Sequence, residues 1–210
     1  MEDLTLLLFL LLAAGASGHG MVMEPVNRAS MWRLGFHTPK DYDDDGHFCG
    51  GISVQWEQNG GKCGECGDDY ALPRPRPSEN TGKYGRGISV KTYKSGQAFT
   101  AAVDLTANHK GYFQFDLCPL RSADELETDE CFSRYPLSQA EGSTQYRVPS
   151  TKPGYYNVSL VLPAGLRCER CVFRWTYVAG NNWGICSDGS GADGCGPQEN
   201  FRTCSDITIA

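Results

Sequence analysis

Ala98-Phe-Thr-Ala-Ala-Val-Asp-Leu-Thr-Ala107 decides how this chain is read. Apolar side chains recur at every second position along it. That period of two marks a strand with one buried face and one wet face. The same texture recurs on both sides. Ile88-Ser-Val-Lys-Thr-Tyr precedes the stretch. Gly111-Tyr-Phe-Gln-Phe-Asp-Leu, Tyr155-Tyr-Asn-Val-Ser-Leu-Val-Leu-Pro, Cys171-Val-Phe-Arg-Trp-Thr-Tyr-Val-Ala and Cys204-Ser-Asp-Ile-Thr-Ile follow it. These runs are short, β-branched and aromatic, and turn residues separate them. No long helical period accompanies them, so the expected class is all-β, a β-sandwich.

Between and before the strands lies loop chemistry. Residues 48–87 are rich in Gly, Pro and Cys, which predicts long loops pinned by disulfides. The cysteines are Cys49, Cys63, Cys66, Cys118, Cys131, Cys168, Cys171, Cys186, Cys195 and Cys204. Ten is an even number, so five disulfides could use them all in an oxidising compartment, with connectivity left open. The two Cys-x-x-Cys pairs lie about a hundred residues apart, so zinc ranks below disulfides. No βαβ pattern surrounds either pair, which argues against a thioredoxin-like motif. Asp41-Tyr-Asp-Asp-Asp-Gly46 copies the first half of a calcium loop. The Glu required at position 12 is Ile52 here, so the run reads as a solvated loop. Residues 27–36 could make a short helix or an irregular loop, and a short helix is possible in residues 123–130. Asn157-Val-Ser159 is a glycosylation sequon on an expected strand.

The N-terminus looks like a secretory leader. Residues 4–14 are apolar but too short to span a bilayer, and Gly15-Ala-Ser-Gly18 supplies the small residues of a peptidase site. The leader carries Glu2 and Asp3 with no Lys or Arg, which is unusual. Cleavage after Gly18 assigns residues 1–18 to the signal peptide and residues 19–210 to one domain, secreted to the extracellular space. Losing the two acids moves the net charge from −6 to −4. A mildly acidic chain is no nucleic-acid binder, and nothing after the leader is apolar enough for a membrane span or a lipid anchor.

That cleavage leaves His19 at the new terminus. A terminal histidine offers both an α-amine and an imidazole nitrogen to one metal ion. The other histidines are His37, His47 and His109. His109 follows the alternating stretch directly, in a loop between two expected strands, where sandwiches present functional groups. Its position alone is equally that of an ordinary exposed loop histidine.

Taken together, certain segments resemble a known family. They are His19-Gly20 behind a signal peptide, Thr106-Ala-Asn-His109, Phe48-Cys-Gly-Gly51, Cys63-Gly-Glu-Cys-Gly-Asp68, Gly82-Lys-Tyr84, Cys171-Val-Phe-Arg-Trp-Thr-Tyr177 and Phe201-Arg-Thr-Cys-Ser-Asp206. In this order they resemble the lytic polysaccharide monooxygenases, and most closely the invertebrate branch, auxiliary activity family fifteen. The resemblance implies an immunoglobulin-like (fibronectin III-like) β-sandwich with long disulfide-pinned loops and short helices. It also implies one copper ion in a histidine brace, held by the His19 α-amine, His19 Nδ1 and His109 Nε2. Three nitrogen donors suit copper, which heads the divalent affinity order. Phe201 stands where the family places an axial aromatic; some members of the branch have tyrosine there. Gln198 and Glu199 are candidates to approach an oxygen species beside the metal. The implied activity is oxidative cleavage of β-1,4 bonds at C1 or C4 in crystalline chitin or cellulose. It would use an external reductant, with hydrogen peroxide or dioxygen as co-substrate. A monomer acting directly on the insoluble polysaccharide is expected, with exposed aromatics such as Tyr42 as docking candidates.

Other classes fit less well. Glycoside hydrolysis needs two opposed carboxylates, and Asp43, Asp44 and Asp45 stand in a row. A serine-hydrolase elbow survives only as the fragment Gly189-Ser-Gly191. A non-catalytic chitin-binding or cuticle-associated protein of the same fold is the main alternative. The intact histidine pair argues against it.

Overall fold

The computed structural model describes residues 19–210; the expected signal peptide, residues 1–18, lies outside them. Eleven strands and one short α-helix occur among the described residues. They are β1 (His19–Glu24), β2 (Lys91–Tyr93), β3 (Ala98–Ala107), β4 (Tyr112–Pro119), α1 (Asp129–Ser133), β5 (Ser138–Gln139), β6 (Tyr146–Arg147), β7 (Gly154–Val161), β8 (Cys168–Val178), β9 (Trp183–Ile185), β10 (Gly191–Asp193) and β11 (Asn200–Ile209). One sheet has the order β1-β3-β7-β5 and the other β2-β11-β8-β4-β6, and they pack as an immunoglobulin-like sandwich. β9 and β10 form a separate hairpin.

The alternating stretch behaves as its pattern dictates. In β3, Phe99, Ala101, Val103 and Leu105 are buried, while the residues between them face outward or lie at the margin. They meet Phe113 and Phe115 of β4 and Phe173, Trp175 and Tyr177 of β8 in one core. β8 departs from simple alternation, because residues 171–177 are all buried. It is the central strand of its sheet, and its second face is covered too. Val172 joins a smaller cluster with Cys118, Phe132 and Cys204. Arg174 lies over the Phe132 ring at 3.9 Å and pairs with Asp116 and Asp129. A strand buried on both faces reads as a continuous run.

All ten cysteines are paired: Cys49–Cys63, Cys66–Cys204, Cys118–Cys131, Cys168–Cys171 and Cys186–Cys195. Neither Cys-x-x-Cys motif therefore has thiolates to offer a metal. Cys66, Cys204 and Glu127 lie within ligand range of one another, but the two sulfurs are bonded to each other.

Several local expectations are corrected. The helix expected in residues 123–130 is displaced to α1, because Thr128 is the N-cap. Its hydroxyl accepts from Cys131 N at 3.1 Å, and Asp129 and Glu130 occupy the favourable first turn. Residues 27–36, where the sequence leaves a short helix or an irregular loop open, form a 3-10 turn, Met31–Leu34, stopped at Gly35 in the left-handed region. The acidic run is not a solvated loop. Asp44 is buried and accepts from Ser30 Oγ at 2.7 Å and from Arg33 Nε and Nη2 at 2.6 and 2.7 Å. Asp45 accepts through its carbonyl from Gly20 N at 2.9 Å and through its carboxylate from Thr106 Oγ1 at 2.5 Å. The loop thus clamps β1 beside His19.

The Gly- and Pro-rich loop contains a buried carboxyl pair with a pH consequence. Arg76 Nη1 donates to Glu65 and Glu79 at 2.7 and 2.5 Å, and Arg74 Nε donates to Glu79 at 2.8 Å. Burial and the shared hydrogen bond with Glu79 push the Glu65 carboxyl up to about 7. A raised folded-state pKa means that the fold holds this proton more tightly than the unfolded chain. The resulting stability is present below the ordinary carboxyl range and is lost as pH rises through about 7. Glu65→Gln should therefore gain in melting temperature relative to the parent between pH 5 and pH 8. An offset that is the same at both pH values would refute the shared proton.

Candidate metal centre

The register of the first sheet brings the two histidines together. β1 runs antiparallel to β3, with His19 opposite Ala107. His109 comes two residues later, in the loop before β4. The two side chains are electrostatic neighbours: burial lowers the His109 pKa, and the charge of His19 lowers it further. Both effects favour the neutral imidazole, the form that coordinates a metal.

Three contacts hold the His109 loop. His109 N donates to the Tyr177 hydroxyl at 2.9 Å, and its carbonyl accepts from Gly180 N at 2.9 Å. The amide of Asn181 lies 2.9 Å from His109 Nδ1. The contacting atom is Asn181 Nδ2; with the amide turned over, its oxygen would accept from Nδ1–H and leave Nε2 as the ligand atom. Gly111 makes the turn into β4 possible. Its φ is 76°, and a Cβ there would lie 1.9 Å from the Val178 carbonyl oxygen.

An arc of rings lies beneath the pair. His19 packs edge-on to Phe48 at 6.3 Å, and Phe48 packs edge-on to Phe201 at 6.2 Å. Phe201 stacks on Tyr177 at 5.6 Å, and Tyr177 in turn holds the His109 backbone. Phe201 and Tyr177 are opposite partners in the β11–β8 ladder, and both are fully buried. Phe201 is thus strand core, it connects Phe48 with Tyr177, and it brings no phenol.

The other sequence candidates are distributed unevenly. Glu199 is half-buried, and its carboxylate adds, after burial, to the upward push on the Tyr177 phenol. The Gln198 amide serves the chain instead. It accepts from Asn182 N at 3.1 Å and donates to the carbonyls of Asn182 and Cys195 at 2.9 and 2.7 Å. His47 is enclosed between Asp41 and Ser78, at 3.0 and 3.2 Å, and His37 is exposed. Tyr42 is 78% exposed, edge-on to Trp32. Asn181, Tyr177 and Phe48 were not expected as site residues. Asn181 has no local sequence signal, since its partner lies 72 positions away.

The donor chemistry fits copper. Two neighbouring imidazoles, one with its second nitrogen held by an amide, and no free thiolate make a nitrogen-rich site. Fold and site together describe a β-sandwich protein with two neighbouring imidazoles at its surface as candidate metal ligands. The family model described as "Lytic polysaccharide mono-oxygenase, cellulose-degrading" matches residues 19–207. A lytic polysaccharide monooxygenase of auxiliary activity family fifteen from Thermobia domestica, in the Cu(I) state, is 47% identical. It superposes with a TM-score of 0.90 over 91% of this chain and 99% of that one. The chain belongs to the lytic polysaccharide monooxygenases, within auxiliary activity family fifteen. A cellulose-active, copper-bound enzyme is 17% identical, with a TM-score of 0.44 over 90% of this chain and 98% of that one. LPMO10B from Micromonospora aurantiaca is 14% identical, with a TM-score of 0.46 over 90% and 99%. The comparison with curated proteins gave no match.

Proposed function

We propose that this is a secreted, copper-dependent lytic polysaccharide monooxygenase that cleaves β-1,4 bonds in crystalline chitin or cellulose. The single observation that carries the reading is the β1–β3 register, which sets His19 beside the loop of His109 at an exposed end of the sandwich. Cleavage after Gly18 frees the His19 α-amine. That amine, His19 Nδ1 and His109 Nε2 then hold one copper ion. Five disulfides and the monooxygenase relatives support secretion. Asn157, exposed on the outer face of β7, is the glycosylation site. Residues 19–210 act as one catalytic domain and as a monomer.

Reduced by an external donor, copper supplies the one-electron chemistry by which hydrogen peroxide or dioxygen takes hydrogen from C1 or C4 of a sugar. The protein's own part is positional. Asn181 sets the His109 tautomer, Tyr177 anchors its backbone, and Phe201 and Phe48 floor the site with rings that titrate nothing. Glu199, half-buried, sets a carboxylate on the Tyr177 side. A solid surface cannot enter a cleft, and both histidines lie only partly buried at the molecular surface.

The test is mass spectrometry of soluble products from chitin and from cellulose, with copper and ascorbate. The parent should release oxidised oligosaccharides, and His109→Ala should release none while keeping its fold by circular dichroism. Unchanged release from His109→Ala would remove that ligand.

A further inference from the structure

Beside the metal centre stands a hairpin whose chemistry the site does not use. β9 and β10 pair Trp183 with Asp193, Gly184 with Ala192 and Ile185 with Gly191. Its root is the segment that touches His109: Gly180 N and the Asn181 amide each reach that residue at 2.9 Å. It is a stiff element. A disulfide joins Cys186 to Cys195, Gly194 N donates to the Asn182 carbonyl at 2.8 Å, and Gln198 clamps both Asn182 and Cys195.

The two faces of the hairpin differ. Gly184 faces the protein, and a Cβ there would lie 2.2 Å from the Cys195 carbonyl oxygen. Trp183 and Ile185 alternate to the other face and are 66% and 58% exposed. The indole lies against Gly191, where a Cβ would come 2.4 Å from Trp183 Cζ2. The ring therefore rests beside glycine and is otherwise largely open to solvent. Two large apolar side chains on a disulfide-braced arm are poorly explained by folding, since neither enters the core.

We infer that this hairpin is the docking arm for the polysaccharide, with Trp183 stacking on the C–H face of a pyranose ring and Ile185 extending the contact. The inference rests on the functional reading above and names the element that grips the substrate. A flat β-1,4-linked chain presents repeated apolar sugar faces, which match a flat, open indole. The arm is rooted at Asn181, two residues before Trp183. A sugar seated on the indole is thus about 6–7 Å of strand away from the residue that orients His109. Gly191 matters because any side chain there would lift the ring.

The test is the binding of metal-free mature protein to insoluble chitin and cellulose by depletion from solution, beside copper titration of the same variants. Trp183→Ala should weaken binding to the preferred polymer about fivefold to tenfold. Trp183→Phe should stay within about twofold, and Gly191→Ala, which keeps the indole but displaces it, should fall between them. All three should still take up copper as the parent does. Parent-like binding by both Trp183→Ala and Gly191→Ala overturns the arm. A parent protein that binds neither polymer and releases no oxidised sugars instead overturns the functional reading, and the arm's role with it.

Discussion

Protein beginning at His19 should take up one copper ion tightly, whereas the same chain with a single alanine left ahead of His19 should lose most of that affinity. The reason is chemical. An N-terminal amine has a pKa of about 8 and gives up its proton readily once a metal competes for the lone pair. After acylation by a preceding residue the same nitrogen becomes an amide, a poor donor. If three nitrogens hold the ion with about 12 kcal/mol in all, losing one costs about 4 kcal/mol, or about a thousandfold in affinity. Isothermal titration of the two forms, with circular dichroism as a check on folding, decides the matter. Equal affinity would take the amine out of the site and leave His109 and the His19 ring alone.

A comparably large effect is expected far from the metal. Arg28 is fully buried, and its guanidinium makes four hydrogen bonds to oxygen atoms of three groups from separate parts of the chain. Nε and Nη2 donate to Asp206 at 2.9 and 2.6 Å, and Nη1 donates to the Ser78 carbonyl at 2.9 Å and to Glu127. Burial alone would lower its pKa, and the Asp206 and Glu127 charges overcome that and raise it. Arg28→Met leaves two carboxylates without their cation in a buried setting. It should cost about 3–5 kcal/mol, or about 10 °C in melting temperature for a chain of this size. Arg134→Met, which removes an exposed partner of Glu130, should cost less than about 1 kcal/mol. Equal losses from the two substitutions, read by calorimetry, would show that burial does not set the value of the Arg28 cluster.

Particular residues show where reading from sequence stops. The runs that became β3, β4, β7, β8 and β11 were legible because alternation and β-branching report a local preference and a local burial demand. Residues 171–177 were legible as a strand, but the cover on their second face was not, because it comes from Phe132 and Cys118 in another part of the chain. Asp44 looked solvated for the same reason: its partners Ser30 and Arg33 approach from a different turn. Gln198 and Glu199 are neighbours in sequence, yet the Gln198 amide serves the loop while the Glu199 carboxylate acts on the Tyr177 phenol. Adjacent strand residues point to opposite sides, and sequence position alone does not tell which side faces the metal.

By itself, then, the sequence determined the sandwich class and the oxidised state of the cysteines, and it named His19 and His109 as the candidate ligands. The first two follow from periodicity and residue counts; the ligand pair rests on the family resemblance together with the special donor set of a terminal histidine. The tertiary structure alone decided which cysteines pair, that the Asn181 amide meets His109 Nδ1, and that Trp183 rather than Tyr42 stands on the element rooted at the site. Such facts join residues tens of positions apart. They are created by strand register and loop packing, which no local pattern of residues encodes.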